Sequence, residues 1–257
     1  MSRATCTVAV VYPDLLGTYG DGGNGLVLAR RAAWRGIPVE LVEASSSGPL
    51  PRADVYCLGG GEDGPQVRAA EALRADGTLA RAVGEGAAVL AVCAGYQIVG
   101  RSFPDAQGAA REGVGILDVT TVKGPGPRAV GEVLADPLAP GPGPDPLPVL
   151  TGFENHAGVT TVGPGAVPLA RVVAGVGNGN GDRSEGAWAG RVVGTYLHGP
   201  VLARNPGLAD LLLGWAVGPG VRLAPLDDRA ELALRADRLG AGRAGAGRRL
   251  ARGRRAG

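Results

Sequence analysis

The stretch VLAVCAGYQIVG, residues 89–100, decides the fold. It opens as a continuous apolar run, which predicts a buried strand to Val92, and it closes in helix-forming residues. Between the two stands Cys93, followed by Ala94 and Gly95. Small residues there let the chain turn sharply from strand to helix and lift the cysteine above the edge of a sheet. The helix start that follows brings partial positive charge and unpaired N–H groups, and both favour a thiolate. Cys93 is therefore the candidate nucleophile. Cys6 and Cys57 sit within apolar strands and read as small core residues, the usual fate of a free cysteine.

Upstream, Cys6–Tyr12, Val39–Glu43, Asp54–Leu58 and Ala87–Val92 are Val-rich runs bounded by Gly, Pro or Asp and read as strands. Asn24–Arg35 and Gln66–Val83 lie between them and carry Leu, Ala and Arg at helical spacing. Strands alternating with helices predict an α/β fold, a mostly parallel sheet flanked by helices, with ligands bound beyond the carboxyl ends of the strands. The second half adds strand candidates at Ile116–Val122, Val130–Leu134, Val149–Phe153, Leu169–Val173 and Arg191–Leu197. Leu208–Val217 reads as a helix after Asn205-Pro206. Pro137–Pro148 is an excursion between strands, and Gly175–Gly186 is a Gly/Asn/Asp loop. One domain is expected over residues 1–222, then a short helix and an Arg/Gly/Ala-rich tail over 223–257 that is expected to be disordered.

Composition narrows the function classes. The 257 residues are 45% hydrophobic, a globular value. Residues 240–257 hold six arginines and no acid, so the formal charge of +2 leaves −4 on the remainder. The basic signal belongs to the tail, and no nucleic-acid face is expected. Three cysteines without a CxxC pair, and two histidines, speak against a metal site. No GxxxxGK[ST] phosphate loop occurs, so no nucleotide cofactor is expected in this chain. The apolar run Cys6–Tyr12 is too short for a signal-peptide core, and no stretch approaches membrane-spanning length, which predicts a cytoplasmic protein.

Two more segments fall at the carboxyl edge of the predicted sheet. Leu58-Gly59-Gly60-Gly61-Glu62-Asp63 follows one strand, and His198 follows the Val-rich strand of RVVGTYLHGP. An imidazole placed there can take the thiol proton and return it to a leaving group. His156, in GFENHAG, is the competitor.

With these residues in place, the chain resembles the class I (triad-type) glutamine amidotransferases, whose strand–Cys-x-Gly-x-Gln–helix element is matched by Cys93, Gly95 and Gln97. The resemblance implies a flavodoxin-like domain, Cys93 as nucleophile and His198 as base. It also implies oxyanion-hole N–H groups from the Gly59–Gly61 run, with Gly60, Gly61 and Ala94 against the substrate. Many members carry an acid two positions after the histidine, where this chain has Pro200. The Tyr-x-His-Gly pattern of Tyr196, His198 and Gly199 narrows the resemblance to the cobyric-acid-synthase-like (CobB/CobQ-type) subgroup. With no local acid, a Cys–His dyad is expected, or an acid supplied by a partner subunit.

Within the subgroup, VYPDLLGTYGDGGN, LGGGEDGPQ, RAVGEV, GFENHAG, GNGNGDRSEG and GTYLHGPVLARNP in this order resemble the glutaminase subunits of lipid II isoglutaminyl synthases. That implies L-glutamine as substrate and a heterodimer with the Mur-ligase-like subunit MurT. ATP and Mg would sit on that partner, with lipid II as acceptor at the inner face of the membrane. Arg128 matches an arginine that holds the substrate glutamine, and a guanidinium can fork onto an α-carboxylate. Gln97 would line the pocket, and Glu62 would meet the substrate ammonium. The alternatives are a glutaminase serving cobyrinic or cobyric acid amidation, a cysteine hydrolase acting on peptides, and a non-catalytic module binding through its basic tail.

Overall fold

The computed structural model describes residues 5–240 except 140, 142, 144, 219 and 220. Its centre is a six-stranded sheet built from β1 (Cys6–Val11), β2 (Val39–Ala44), β3 (Val55–Leu58), β4 (Ala88–Val92), β13 (Ala187–Ala189) and β14 (Val192–Thr195). The order is β13-β14-β4-β3-β1-β2, parallel throughout except for the edge strand β13. β3, β4 and β14 are buried at every position, which is why they read as unbroken apolar runs rather than alternating ones.

The flanking helices are α1 (Pro13–Leu16), α2 (Gly23–Trp34), α3 (Asp63–Asp76), α4 (Thr78–Gly84), α5 (Ala94–Val99), α6 (Val201–Arg204) and α7 (Pro206–Val217). The single helix expected over Gln66–Val83 is two. Gly77 adopts φ 68°, a left-handed value that ends α3 and starts α4, and glycine carries it without a Cβ clash.

The second half forms two smaller sheets. One joins β5 (Ser102–Pro104), β6 (Ala110–Glu112), β7 (Val119–Lys123) and β10 (Gly158–Val162) in the order β10-β7-β5-β6. The other joins β8 (Ala129–Pro137), β9 (Leu150–His156), β11 (Ala170–Ala174) and β12 (Ser184–Glu185) in the order β12-β11-β8-β9. The Pro/Gly-rich excursion connects antiparallel β8 and β9, as expected. Beside the central sheet, Phe153 of the second sheet and His198 exchange backbone hydrogen bonds of 3.0 and 2.9 Å.

The sequence places a short helix beyond residue 222. Residues 229–240 are helical and pinned to the domain by side chains, with Arg235 only 7% exposed. The basic tail at 241–257 lies outside the described residues.

Candidate active site

β4 delivers Cys93 to the carboxyl edge of the central sheet and α5 carries the chain away. Cys93 holds φ 54° and ψ −106°, a backbone region that a residue with a Cβ occupies only under strain. The turn is stitched to both neighbouring strands. Cys93 N–H donates to Thr195 O at 2.9 Å, and Gly95 N–H donates to Gly59 O at 3.1 Å. Gly95 has a steric reason to be glycine, since a Cβ there would stand 2.7 Å from Leu58 Cβ and 2.9 Å from Leu58 O. The sharp turn inferred from small residues is present.

His198 follows β14, and its backbone is clamped by Phe153. Its Nδ1–H donates to Asp21 Oδ2 at 2.8 Å. Asp21, 2% exposed, lies in the loop between α1 and α2, 177 residues away in sequence. Burial alone would lower the His198 pKa, but hydrogen bonding and charge from Asp21 and Cys93 outweigh it and push it up to about 10. Nδ1 being committed to Asp21, Nε2 is the nitrogen left to exchange a proton with Cys93. The expectation of a dyad, or of an acid from a partner, is therefore corrected. The orienting carboxylate is in this chain, close in space and remote in sequence. A search for an acid near the histidine, ending at Pro200, could not find it.

The glycine run also differs from expectation. Gly60 N–H donates to Asp21 Oδ2 at 3.0 Å and is not an open oxyanion donor. Its role is to hold the acid, in a space where a Cβ would stand 2.7 Å from His198 Cε1. Gly61 and Ala94 do line the cavity beside Cys93.

That cavity measures about 290 Å³, at the small end for small-molecule sites, and Gln97, Arg128 and Asn155 line it as well. Arg128 forks onto Asn155, with Nε 3.1 Å from Oδ1 and Nη2 2.9 Å from the backbone oxygen. The Cys93 thiol reaches the same backbone oxygen at 3.9 Å, so Asn155 ties the arginine to the nucleophile. Nothing in the sequence marked it. Gln97 Oε1 accepts from Gln66 Nε2 at 2.8 Å and its Nε2 donates to Tyr196 Oη at 3.1 Å, which fixes the orientation of the amide. Glu62 does not line the cavity; it accepts from Tyr19 Oη at 3.2 Å, and Tyr19 leans over the His198 ring with centroids 4.9 Å apart.

His156, the competing base, touches the cavity wall but is held in the core. Its Nδ1–H donates to Gly158 O at 3.0 Å, and its ring stacks on Tyr196 at 3.7 Å. Among the described residues, no cluster of His, Cys, Asp or Glu could hold a metal, and no helix is long and apolar enough to cross a membrane.

A thiol at a strained strand-to-helix turn, facing an imidazole polarised by a buried carboxylate, is equipped for acyl transfer from an amide. Comparison with known proteins gives that chemistry a family. The CobB/CobQ-like glutamine amidotransferase domain matches residues 7–206. The chain belongs to that family. It is 34% identical to the lipid II isoglutaminyl synthase (glutamine-hydrolyzing) subunit GatD of Staphylococcus aureus strain N315, over 85% of this chain and 88% of that one. It is 38% identical to a cobyric acid synthase of Methylobacterium nodulans, but over 64% of this chain and only 32% of that enzyme. Among solved structures, PurLQS of Thermotoga maritima superposes with a TM-score of 0.55 at 18% identity, covering 83% of this chain and 96% of that one. The last likeness concerns the fold. This chain is thus a glutamine amidotransferase by family, with an α/β fold as the alternating strands and helices predicted.

Proposed function

We propose that this chain is the glutaminase subunit of a lipid II isoglutaminyl synthase. Cys93 is the nucleophile, His198 the base and acid, and Asp21 the residue that orients the histidine. The observation that carries the reading is the near end-to-end match to GatD, 88% of that subunit, against 32% of the cobyric acid synthase.

Glutamine enters the cavity with its α-carboxylate on the guanidinium of Arg128. His198 Nε2 already carries the Cys93 proton, its pKa being raised well above neutral, and Sγ attacks the side-chain amide carbon as a thiolate. The N–H groups of Gly61 and Ala94 face the oxyanion of the tetrahedral intermediate, where one such donor is worth about 3 kcal/mol. His198 returns the proton to the departing nitrogen, releasing ammonia and leaving a γ-glutamyl thioester on Cys93. Water, deprotonated by His198, then attacks the thioester, freeing glutamate and the thiol. Asp21 stabilises the imidazolium in both halves.

Ammonia passes to a Mur-ligase-like partner (MurT), which would hold ATP and Mg and activate the D-glutamate α-carboxyl of the stem peptide. Cys93→Ala is expected to abolish glutamine-dependent amidation of lipid II by the two-subunit complex while leaving ammonia-dependent amidation intact. Glutamine-dependent product in that variant, measured by mass spectrometry of the stem peptide, would overturn the assignment.

A further inference from the structure

Residues 221–240 lie beyond the family match at 7–206 and contribute nothing to the cavity wall, yet they are fastened at both ends. At the near end Arg31, 2% exposed, forks onto Asp210 at 2.7 and 2.8 Å and reaches Asp228 at 2.5 Å. Arg35 Nε donates to Ala224 O at 2.7 Å. At the far end, Arg235 on the 229–240 helix donates to Val149 O and, at 3.3 Å, to Asn205 Oδ1. Both acceptors are neutral. Burying a guanidinium on neutral oxygens costs free energy that an apolar side chain would not, so what those oxygens belong to matters.

They belong to the frame around His198. Asn205 Oδ1 also accepts from Thr151 N–H at 2.9 Å, and its Nδ2 donates to Thr151 O at 2.8 Å and Val201 O at 2.7 Å. Thr151 is on β9, two residues before the Phe153 that clamps the His198 backbone. Val201 opens α6, three residues after His198. A second path runs alongside. Arg238 lies 3.8 Å from the Glu132 carboxylate, which also pairs with Arg204. The Arg204 stem packs on Gly199, where a Cβ would stand 2.7 Å from Arg204 Cδ.

We infer that residues 221–240 form a strap that holds the His198 segment in register with Cys93, and that Arg235 is its positioning residue. The inference rests on the reading of Cys93 and His198 as the reacting pair. Displacing such a pair by about 1 Å can cost on the order of 10²-fold in rate, so a strap outside the cavity can still govern turnover.

The test is alkylation of Cys93 in the full chain by iodoacetamide across pH 6–10, read by peptide mass spectrometry so that Cys6 and Cys57 are counted apart. Wild-type Cys93 should react at pH 7 well ahead of Cys6 and Cys57, whose thiols burial pushes up to about 11 and about 12. Arg235→Ala should slow Cys93 at pH 7 by about tenfold and converge on wild type near pH 10, where thiolate forms unaided. Arg235→Lys, which keeps one donor, should recover part of the loss. Asp228→Asn loosens the strap at the end remote from the site and should shift the profile the same way by about threefold, which keeps the test open if Arg235→Ala fails to fold. A purely structural strap would lower Tm and leave the pH–rate profile unchanged in the folded variants, which overturns the inference. Wild-type Cys93 reacting no faster than Cys6 and Cys57 at pH 7 would overturn the reacting pair itself, and the strap's role with it.

Discussion

At the level of single residues, Asp21 is the side chain on which the site's chemistry turns. One of its oxygens takes both the His198 Nδ1–H and the Gly60 N–H, and the other has no hydrogen-bond partner among the described residues. Asparagine in its place could still accept from both donors, so Asp21→Asn separates charge from shape. The His198 pKa should then fall from its raised value towards the ordinary range, because burial would act with less to oppose it. Glutamine hydrolysis should drop by about 10²–10⁴-fold in kcat with KM nearly unchanged, the range seen when an orienting carboxylate is neutralised. Steady-state kinetics and the imidazole resonances of His198 would report both effects. Activity within a few-fold of wild type would mean that Asp21 does not polarise the histidine, and would return the acid to a partner subunit. The turn that carries Cys93 was legible in the sequence because its surroundings are local: strand, small residues and helix are contiguous. Asp21 was not, since its pairing exists only after the chain closes across 177 residues.

Among the elements, the same division between local and non-local holds. β1, β3, β4 and β14 were readable because strands buried on both faces write themselves as unbroken Val-rich runs. β5, β6, β12 and β13 have two or three residues each, too few for any pattern, and are strands only by virtue of what they pair with. β10, Gly158–Val162, was missed although it holds two valines and two threonines, because it follows β9 after a single residue. The short helix at 229–240 was readable but its docking was not, since its attachment relies on arginines rather than an apolar stripe. The element that bears most on catalysis is α5, all six residues of which are buried. Gly95→Ala should push its first turn off β3, because the added Cβ meets Leu58 backbone as well as side chain. A destabilisation of about 1–3 kcal/mol is expected, as for other overpacked cores. Since Cys93 moves with the helix, kcat should fall further than stability alone explains, as chemical denaturation beside single-turnover kinetics would show. Wild-type stability and turnover in that variant would mean that α5 shifts freely, and the turn would not be held by β3.

For the molecule as a whole, the question is what binds the smaller sheets to the central one, and Glu185 gives a pH-dependent answer. It sits on β12, is fully buried, and accepts from the Thr195 hydroxyl and, at 3.1 Å, from Tyr196 N–H at the end of β14. Its Oε2 has no hydrogen-bond partner among the described residues. Burial pushes its pKa up from 4.5 to about 7, against those hydrogen bonds and the nearby His156, with Glu154 adding to the rise. An acid raised in the folded state contributes stability that is fully present below pH 4.5 and is lost as pH climbs through about 7. At 1.36 kcal/mol per unit the loss is on the order of 3 kcal/mol. For a chain of this size each kcal/mol is worth about 2–4 °C in Tm. Wild-type Tm should therefore decline by several degrees between pH 5 and pH 8 through this group, while carboxylates with lowered pKa, such as Asp14 and Asp76, act in the opposite direction at lower pH. Glu185→Gln keeps the acceptor for Thr195 and Tyr196 and cannot ionise. Its Tm should exceed that of wild type at pH 8 and match it more closely at pH 5, so the difference between the two curves isolates Glu185 from every other titrating group. Parallel curves would show that the carboxyl remains protonated, or is solvated, across the whole range. The junction between the sheets would then be held by its hydrogen bonds alone, with no dependence on pH.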